Sequence, residues 1–442
     1  LSFRVNMPSY PETLNYIFNL RGGEIDLRLH RMAEALSLFD HPERSYRAFH
    51  IAGTNGKGST AAMLHRILSA QGYLVGLYTS PHVVSFTERI RVGDWEIAPE
   101  EVVELAQAIR VRSLEAGISL TFFEFVTVMA LVYFARCRVD LAVVEVGLGG
   151  RLDATNLVAP GVSIITTISK DHEAYLGSNL DSIAREKGGI IKAGIPVICG
   201  YLPPDATVLL QRMAAAKGSA SYFLGRDFSI ASREDGLFDY EGLWWDLTDL
   251  FIALRGEHQR HNAAVALAAL EVTQAEVPVS ATAVREGLET VFWPARFEVV
   301  LHHPTVILDG AHNSQGIEAL VKEVGIFLGG KRVKLLFGAM KDKDWSSMLQ
   351  GLSKVSAEVI LTRIPMDRSA DPNNLRSAIS ADIPVAVIDD PLEAITALIR
   401  KADDEQAILA TGSLYLLGRI RPYLLKLRVP EALGGDVPRP VP

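Results

Sequence analysis

The stretch His50–Thr60, HIAGTNGKGST, packs Gly53, Gly56, Gly58, Lys57 and the hydroxyls of Ser59 and Thr60 between an apolar run and an Ala-rich segment. Those residue types suit the binding of a polyphosphate. Glycines let successive backbone N–H groups turn toward one anion, and a helix N-terminus adds positive potential. In this order Asn55 through Ser59 supply the N–H groups and Lys57 reaches the β- and γ-phosphates. The spacing departs from the G-x-x-x-x-G-K-[ST] pattern. Ile51 stands where the first glycine belongs, and Gly58 follows the lysine, so Ser59 and Thr60 come one step late. A plain strand-to-helix turn, with Ser59 or Thr60 as N-cap, is the alternative.

Two further segments could complete such a site. In LAVVEVGLGGRLDATN (141–156), Glu145 ends a very apolar run, where an acid is either a Mg²⁺ ligand or a solvated turn residue. GLGGRL fails G-x-G-x-x-G because Leu152 takes the last glycine's place, which disfavours a dinucleotide fold. In TTISKDHEAYLG (166–177), Asp171 and His172 follow another apolar run, so His172 is expected at the same sheet edge as a metal or phosphate ligand.

The elements that must position these groups read as an α/β protein. Apolar runs at 48–53, 74–80, 141–147, 162–168 and 196–200 alternate with helical patterns near 59–71, 99–115, 123–136 and 181–192. Runs this apolar suit a mostly parallel sheet covered on both faces. Between 201 and 257 the pattern gives way to turns and alternation, which predicts a small antiparallel patch, and an Ala-rich helix follows near 258–275. A second α/β series begins after FWPARFEVV (292–300) with TVILDG, VKLLFGA, EVILTRI, VAVIDD and AILATGS. We therefore expect a P-loop-type, mostly parallel sheet domain over residues 1–296. A smaller Rossmann-like α/β domain is expected over 297–428, with a Pro- and Gly-rich flexible tail at 429–442.

Bulk properties narrow the function. The chain has 442 residues, 44 basic against 52 acidic side chains and a formal charge of −8, so no electrostatic footprint for nucleic acid or an anionic membrane is expected. The two cysteines, Cys137 and Cys199, are far apart in apolar surroundings and read as buried thiols. No run of 18 apolar residues appears, and the opening LSFRVNMPSYPETL lacks a basic segment followed by an apolar one. The cytoplasm is the expected compartment, and a monomer the expected state.

Taken in order, GTNGKGST, YTSPHVVSFTERIRV, FFEF, EVGLGGRLDATN, KDHEAYLG, REKGGIIK, RHNAAVALAAL, LDGAHN, FGAMKDKD and TGSLYL resemble the folylpolyglutamate synthase and dihydrofolate synthase family of the Mur ligase superfamily, across about residues 10–425. The resemblance makes the displaced Gly-Lys-Gly-Ser that superfamily's own phosphate loop. It implies an ATP-dependent amide-bond ligase that joins L-glutamate to dihydropteroate or to the glutamate tail of a reduced folate through an acyl phosphate. Gly56, Lys57, Gly58 and Ser59 would hold the triphosphate, and Ser80, Glu145 and His172 would coordinate two Mg²⁺ ions. Lys187 matches a lysine that is carbamylated in relatives; read alone it is a surface lysine near a helix end. Asn262, Arg296 and Asp309 would meet adenine, phosphates and ribose, and His312 would lie near the glutamate and the acyl phosphate. Thr121, Phe123, Asp153 and Ala154 match segments that contact the pterin-bearing substrate, where Phe122 or Phe123 could stack on the ring or pack in the core. RGGEIDLRLHRM (21–32) departs from the family's usual substrate segment.

Three rivals are weighed beside this reading. A muramyl-peptide ligase would share the ATP apparatus but normally carries a UDP-sugar domain ahead of the phosphate loop, for which residues 1–49 are too few. A P-loop kinase or NTPase would show Gly-Lys-Ser/Thr without a second domain bearing DGAHN. A non-catalytic binding protein is disfavoured because every candidate ligand is present.

Overall fold

The protein was analysed as a computed structural model, in which residues 8–20, 29–171, 177, 179–403 and 406–428 are described. Residues 21–28, His172 and the tail 429–442 lie outside them. Two compact units divide between Trp293 and Pro294.

The first unit is built on an eight-stranded sheet. Its strands are β1 (Arg47–Ala52), β2 (Val75–Tyr78), β3 (Ile90–Val92), β4 (Trp95–Glu96), β5 (Leu141–Glu145), β6 (Pro160–Ile165), β7 (Val197–Cys199) and β8 (Ser221–Phe223). They lie in the order β4-β3-β2-β5-β1-β6-β7-β8. Only the β2–β3 and β3–β4 pairings are antiparallel. The parallel strands are buried on both faces, as their continuous apolar runs require. On one face, helices Lys57–Ala70, Glu257–Thr273 and Ala281–Thr290 form the main core with Phe49 and Ile51 of β1. The other face is covered by helices Tyr10–Phe18, Leu29–Ser37, Pro99–Glu115 and Phe122–Cys137 near β2 and β5, and by Leu180–Gly188 and Pro204–Ala215 near β6 and β7. Because β1 lies between β5 and β6, the chain reverses its direction of travel beside β1. Ligands of open α/β sheets bind at the carboxyl ends of strands at such a point.

The irregular region does hold the antiparallel patch, β9 (Ser229–Ser232), β10 (Phe238–Glu241) and β11 (Asp246–Leu250), ordered β11-β10-β9. It also holds the helix Pro204–Ala215 and strand β8, which the sequence pattern hid. Pro203 and Pro204 read as a loop, but a proline in the first helical turn loses no hydrogen bond, so the pair starts the helix. No helix among the described residues is long and apolar enough to cross a membrane.

The second unit carries β12 (Glu298–His302), β13 (Thr305–Leu308), β14 (Val333–Phe337), β15 (Ser356–Leu361), β16 (Val385–Val387) and β17 (Ala407–Thr411). Their order is β12-β13-β17-β14-β15-β16, parallel except for the β12–β13 pair. Its core is separate, drawn from these strands and from helices Ser314–Phe327 and Trp345–Ser353.

Candidate active site

The phosphate loop runs from the end of β1 into the helix that begins at Lys57. Gly56 is its N-cap, with φ +88°, where a side chain is strained. A Cβ there would also stand 2.3 Å from Asn262 Oδ1, so Asn262, on helix Glu257–Thr273, lies directly against the loop. Gly58 faces Trp293, whose Nε1 would be 2.9 Å from a Cβ. Lys57 folds back over the loop, its Nζ donating to the carbonyls of Gly53 at 3.0 Å and Thr54 at 3.2 Å. Ser59 and Thr60 are buried in the first helical turn, and Thr60 Oγ1 has no hydrogen-bond partner among the described residues.

A clamp that sequence reasoning missed ties this loop to the end of β6. Asn55 N donates to Thr167 Oγ1 at 2.9 Å, while Thr166 Oγ1 donates to Asn55 O at 2.6 Å. Thr54 N donates to Thr167 O, and Ser169 N to Thr54 Oγ1. The threonine pair at the strand's end was the available signal. Threonine in a strand is so common that nothing marked these two.

Ser80 and Glu145 come together because β2 and β5 are neighbours in register, Tyr78 opposite Val144. Ser80 N donates to Glu145 Oε2 at 3.1 Å, and Glu145 is only 4% exposed. A buried carboxylate with a serine directly against it offers oxygen ligands of the type a hard divalent cation takes. His172 is outside the described residues. Among the described ones, no three His, Cys, Asp or Glu side chains form a metal-holding group.

Lys187 is not a surface lysine. It sits in the last turn of helix Leu180–Gly188 and is 4% exposed. Burial, reinforced by the charge of Lys57 and opposed by Asp171, pushes its pKa down to about 7.

The residues matched to the pterin side have structural partners of their own. Thr121 is the N-cap of helix Phe122–Cys137, in a capping box with Glu124. Glu124 in turn receives Arg31 through Nε at 3.1 Å and Nη2 at 2.7 Å. The two phenylalanines part company. Phe123 lies against Gly147, where a Cβ would meet its Cζ at 2.3 Å, and its ring is 6.2 Å from that of Tyr78. Phe122 stacks on Phe18 at 5.5 Å with Arg89 over its ring. Asp153 and Ala154 are buried in the loop after β5. The Asp153 carboxylate accepts from Leu148 N and Thr155 N, and desolvation raises its pKa against those bonds.

In the second unit, Arg296 and Asp309 flank the open end of the β12–β13 hairpin. Asp309 accepts from Phe297 N at 2.8 Å and Ala311 N at 2.9 Å. Ala295 and Phe297 hold left-handed backbone, φ 58° and 46°, which non-glycine residues adopt only when their surroundings over-determine it. Those surroundings are Asp309, Glu298 on Ala295 N, and Arg421 doubly bonded to Glu298. Burial raises the Asp309 pKa, and the Arg296 charge opposes this. His312 Nδ1 lies 2.8 Å from Gly310 O, which makes Nδ1 the protonated nitrogen.

Comparison with known proteins fits this geometry. Residues 51–270 match the Mur ligase middle domain, and residues 295–414 the Mur ligase glutamate ligase domain. The class is thus that of the Mur ligases. A folylpolyglutamate synthase of Lacticaseibacillus casei is 35% identical over 94% of this chain and 99% of its own length. E. coli FolC in complex with DHPP and ADP superposes with a TM-score of 0.88 at 32% identity, covering 96% of this chain and 99% of that one. A bifunctional folylpolyglutamate synthase/dihydrofolate synthase from Yersinia pestis, complexed with AMPPNP and Mn ion, gives 0.86 at 32% identity, over 94% and 98%. The chain belongs to the folylpolyglutamate synthase/dihydrofolate synthase family of the Mur ligase superfamily.

Proposed function

We propose that this chain is an ATP-dependent ligase that adds L-glutamate to dihydropteroate and to the glutamate tail of reduced folates. What supports the reading is that Lys57 follows β1, Ser80 and Glu145 meet at the ends of β2 and β5, and buried Lys187 feels the charge of Lys57, in a chain of this family.

The γ-phosphoryl group moves from ATP to a carboxylate oxygen of the pterin substrate, and ADP leaves. The α-amine of glutamate then attacks the acyl carbon, loses a proton, and phosphate departs as the amide forms. No nucleophilic side chain is needed; the work is positioning and neutralising charge. Gly56, Gly58 and Ser59 offer backbone N–H groups to the phosphates, and Lys57 exchanges the Gly53 and Thr54 carbonyls for phosphate oxygens. Asn262, Arg296 and Asp309 serve the rest of the nucleotide. Mg²⁺, two ions in this reading, would be held by Ser80, Glu145 and His172, and it supplies neutralisation of phosphate charge. The orphaned Thr60 hydroxyl and the buried Glu145 suit such a polar ligand. An amine near pKa 7 is largely neutral at physiological pH, so Lys187 can take up carbon dioxide as a carbamate, and the adjacent charge of Lys57 would stabilise it. By the family resemblance, His312, whose Nδ1 donates to the Gly310 carbonyl, would serve the glutamate and the acyl phosphate. Thr121, Phe123, Asp153 and Ala154 form the pterin side. The enzyme works as a cytoplasmic monomer.

Product analysis decides among activities. With ATP, Mg²⁺ and glutamate, we expect dihydrofolate from dihydropteroate and a longer tail on tetrahydrofolate. Ligation of amino acids to a UDP-muramyl substrate, with neither folate product, overturns the reading.

A further inference from the structure

His50 is fully buried in β1, in register with Val144 of β5 and Ser163 of β6. Phe49 and Ile51 face the main core, so His50 occupies the opposite face of the sheet, toward the loop that carries Asp153. A strand covered on both faces normally carries an apolar residue at such a place. Burying an imidazole there is costly, and its Nδ1 has no hydrogen-bond partner among the described residues. The one hydrogen bond that its ring makes among those described is from Nε2 to Thr155 Oγ1, at 2.9 Å.

The direction of that contact follows from proton accounting. Asp153 Oδ1 accepts from Thr155 N at 3.0 Å and from Thr155 Oγ1 at 2.5 Å, and its Oδ2 accepts from Leu148 N at 2.9 Å. The single hydroxyl proton of Thr155 is thereby committed to Asp153. Thr155 Oγ1 must then be the acceptor, and His50 the donor through Nε2. Burial pushes the His50 pKa down to about 3, so the ring stays neutral, and the Thr155 contact sets which nitrogen carries its proton. A directed chain results: His50 Nε2–H to Thr155 Oγ1–H to Asp153 Oδ1. It sets the loop 147–155 from below, at both of its ends.

We propose that His50 and Thr155 are positioning residues for the pterin-bearing substrate, acting through Asp153 to hold the Asp153–Ala154 segment in its binding shape. This rests on the placement of Asp153 and Ala154 at the pterin side under the proposed function. His50 lies only a few residues before the phosphate loop, so the competing outcome is an effect on ATP.

The test is steady-state kinetics of the full chain with dihydropteroate and ATP, on T155V, T155S, H50L, H50Q and D153A, each checked by thermal unfolding. T155V is expected to raise KM for dihydropteroate about tenfold, with KM for ATP within about twofold, while T155S stays near wild type. H50Q, which can donate to Thr155, is expected to lie closer to wild type than H50L. If H50L does not fold, the nearly isosteric Thr155 pair still decides. KM for ATP rising in step with that for dihydropteroate, or T155V and T155S behaving alike, overturns the inference. D153A with a raised dihydropteroate KM beside an unaffected T155V removes this inference alone. D153A without effect, or a wild type that does not ligate glutamate, removes the underlying reading and this inference with it.

Discussion

Glu145 and Lys187 show how much a single side chain depends on what surrounds it. Glu145 is a buried carboxylate whose Oε2 already receives Ser80 N. Glu145→Gln keeps its shape but gives a hard cation much less. We expect turnover to fall about a hundredfold or more and the Mg²⁺ titration to move to higher concentration. An unchanged titration would remove Glu145 from the metal site. For Lys187, the folded pKa of about 7 lies below the ordinary 10.5. The unfolded chain therefore holds a proton that the native state releases between those values. This group's contribution makes stability rise with pH across that window. The free amine, and with it the carbamate, grows in as pH passes 7. Bicarbonate should accelerate the wild type at about pH 8 and do little at about pH 6, whereas Lys187→Ala should ignore bicarbonate and be partly restored by small carboxylates. Rates of wild type and variant, with and without bicarbonate at both pH values, check this.

At the scale of elements, the phosphate loop is held by strain and by contact from neighbouring segments. Gly56 combines a positive φ with a Cβ position only 2.3 Å from Asn262 Oδ1. Gly56→Ala must strain the loop's left-handed backbone and push the Asn262 side chain aside. A loss of about 1–3 kcal/mol in stability is expected from the backbone conformation, with a nucleotide affinity at least about tenfold weaker. Calorimetric titration with an ATP analogue, alongside denaturant unfolding, measures the two effects separately. Wild-type affinity in a stably folded Gly56→Ala would show that the observed loop shape is not the one that binds phosphate.

At the scale of the whole molecule, two separate hydrophobic cores support the two units, so ligand effects on stability can be read from unfolding. A ligand that binds only the folded protein raises its stability by RT ln(1 + [L]/Kd), about 2.7 kcal/mol at a hundredfold excess over Kd. A non-hydrolysable ATP analogue with Mg²⁺ should therefore raise the unfolding temperature by several degrees. Lys57→Ala should fold normally, since among the described residues its ammonium donates to loop carbonyls, and should lose most of that rise. Equal shifts in wild type and variant would count against Lys57 as a phosphate contact.

The local code was legible wherever chemistry is written into consecutive residues. The Gly-Lys-Gly-Ser stretch lies where a strand passes into a helix, with Lys57, Gly58 and Ser59 already in the first helical turn, and the α/β alternation appears with both sheets. Family membership was legible for the same reason, since motif order survives without coordinates. What the tertiary structure decided is everything that depends on residues far apart in the chain. It brings Ser80 beside Glu145, because β5 inserts next to β2. It sets Thr166 and Thr167 as a clamp on Asn55, because β6 lies beside β1. It turns Lys187 from an apparent surface lysine into a buried amine, since desolvation is set by which elements pack around a helix end and not by its sequence. The helix Pro204–Ala215 and strand β8 escaped because their local signals are weak and their stability comes from the core beneath them. Periodicity records which face of a segment is apolar; only the packed sheet determines which partner that face meets.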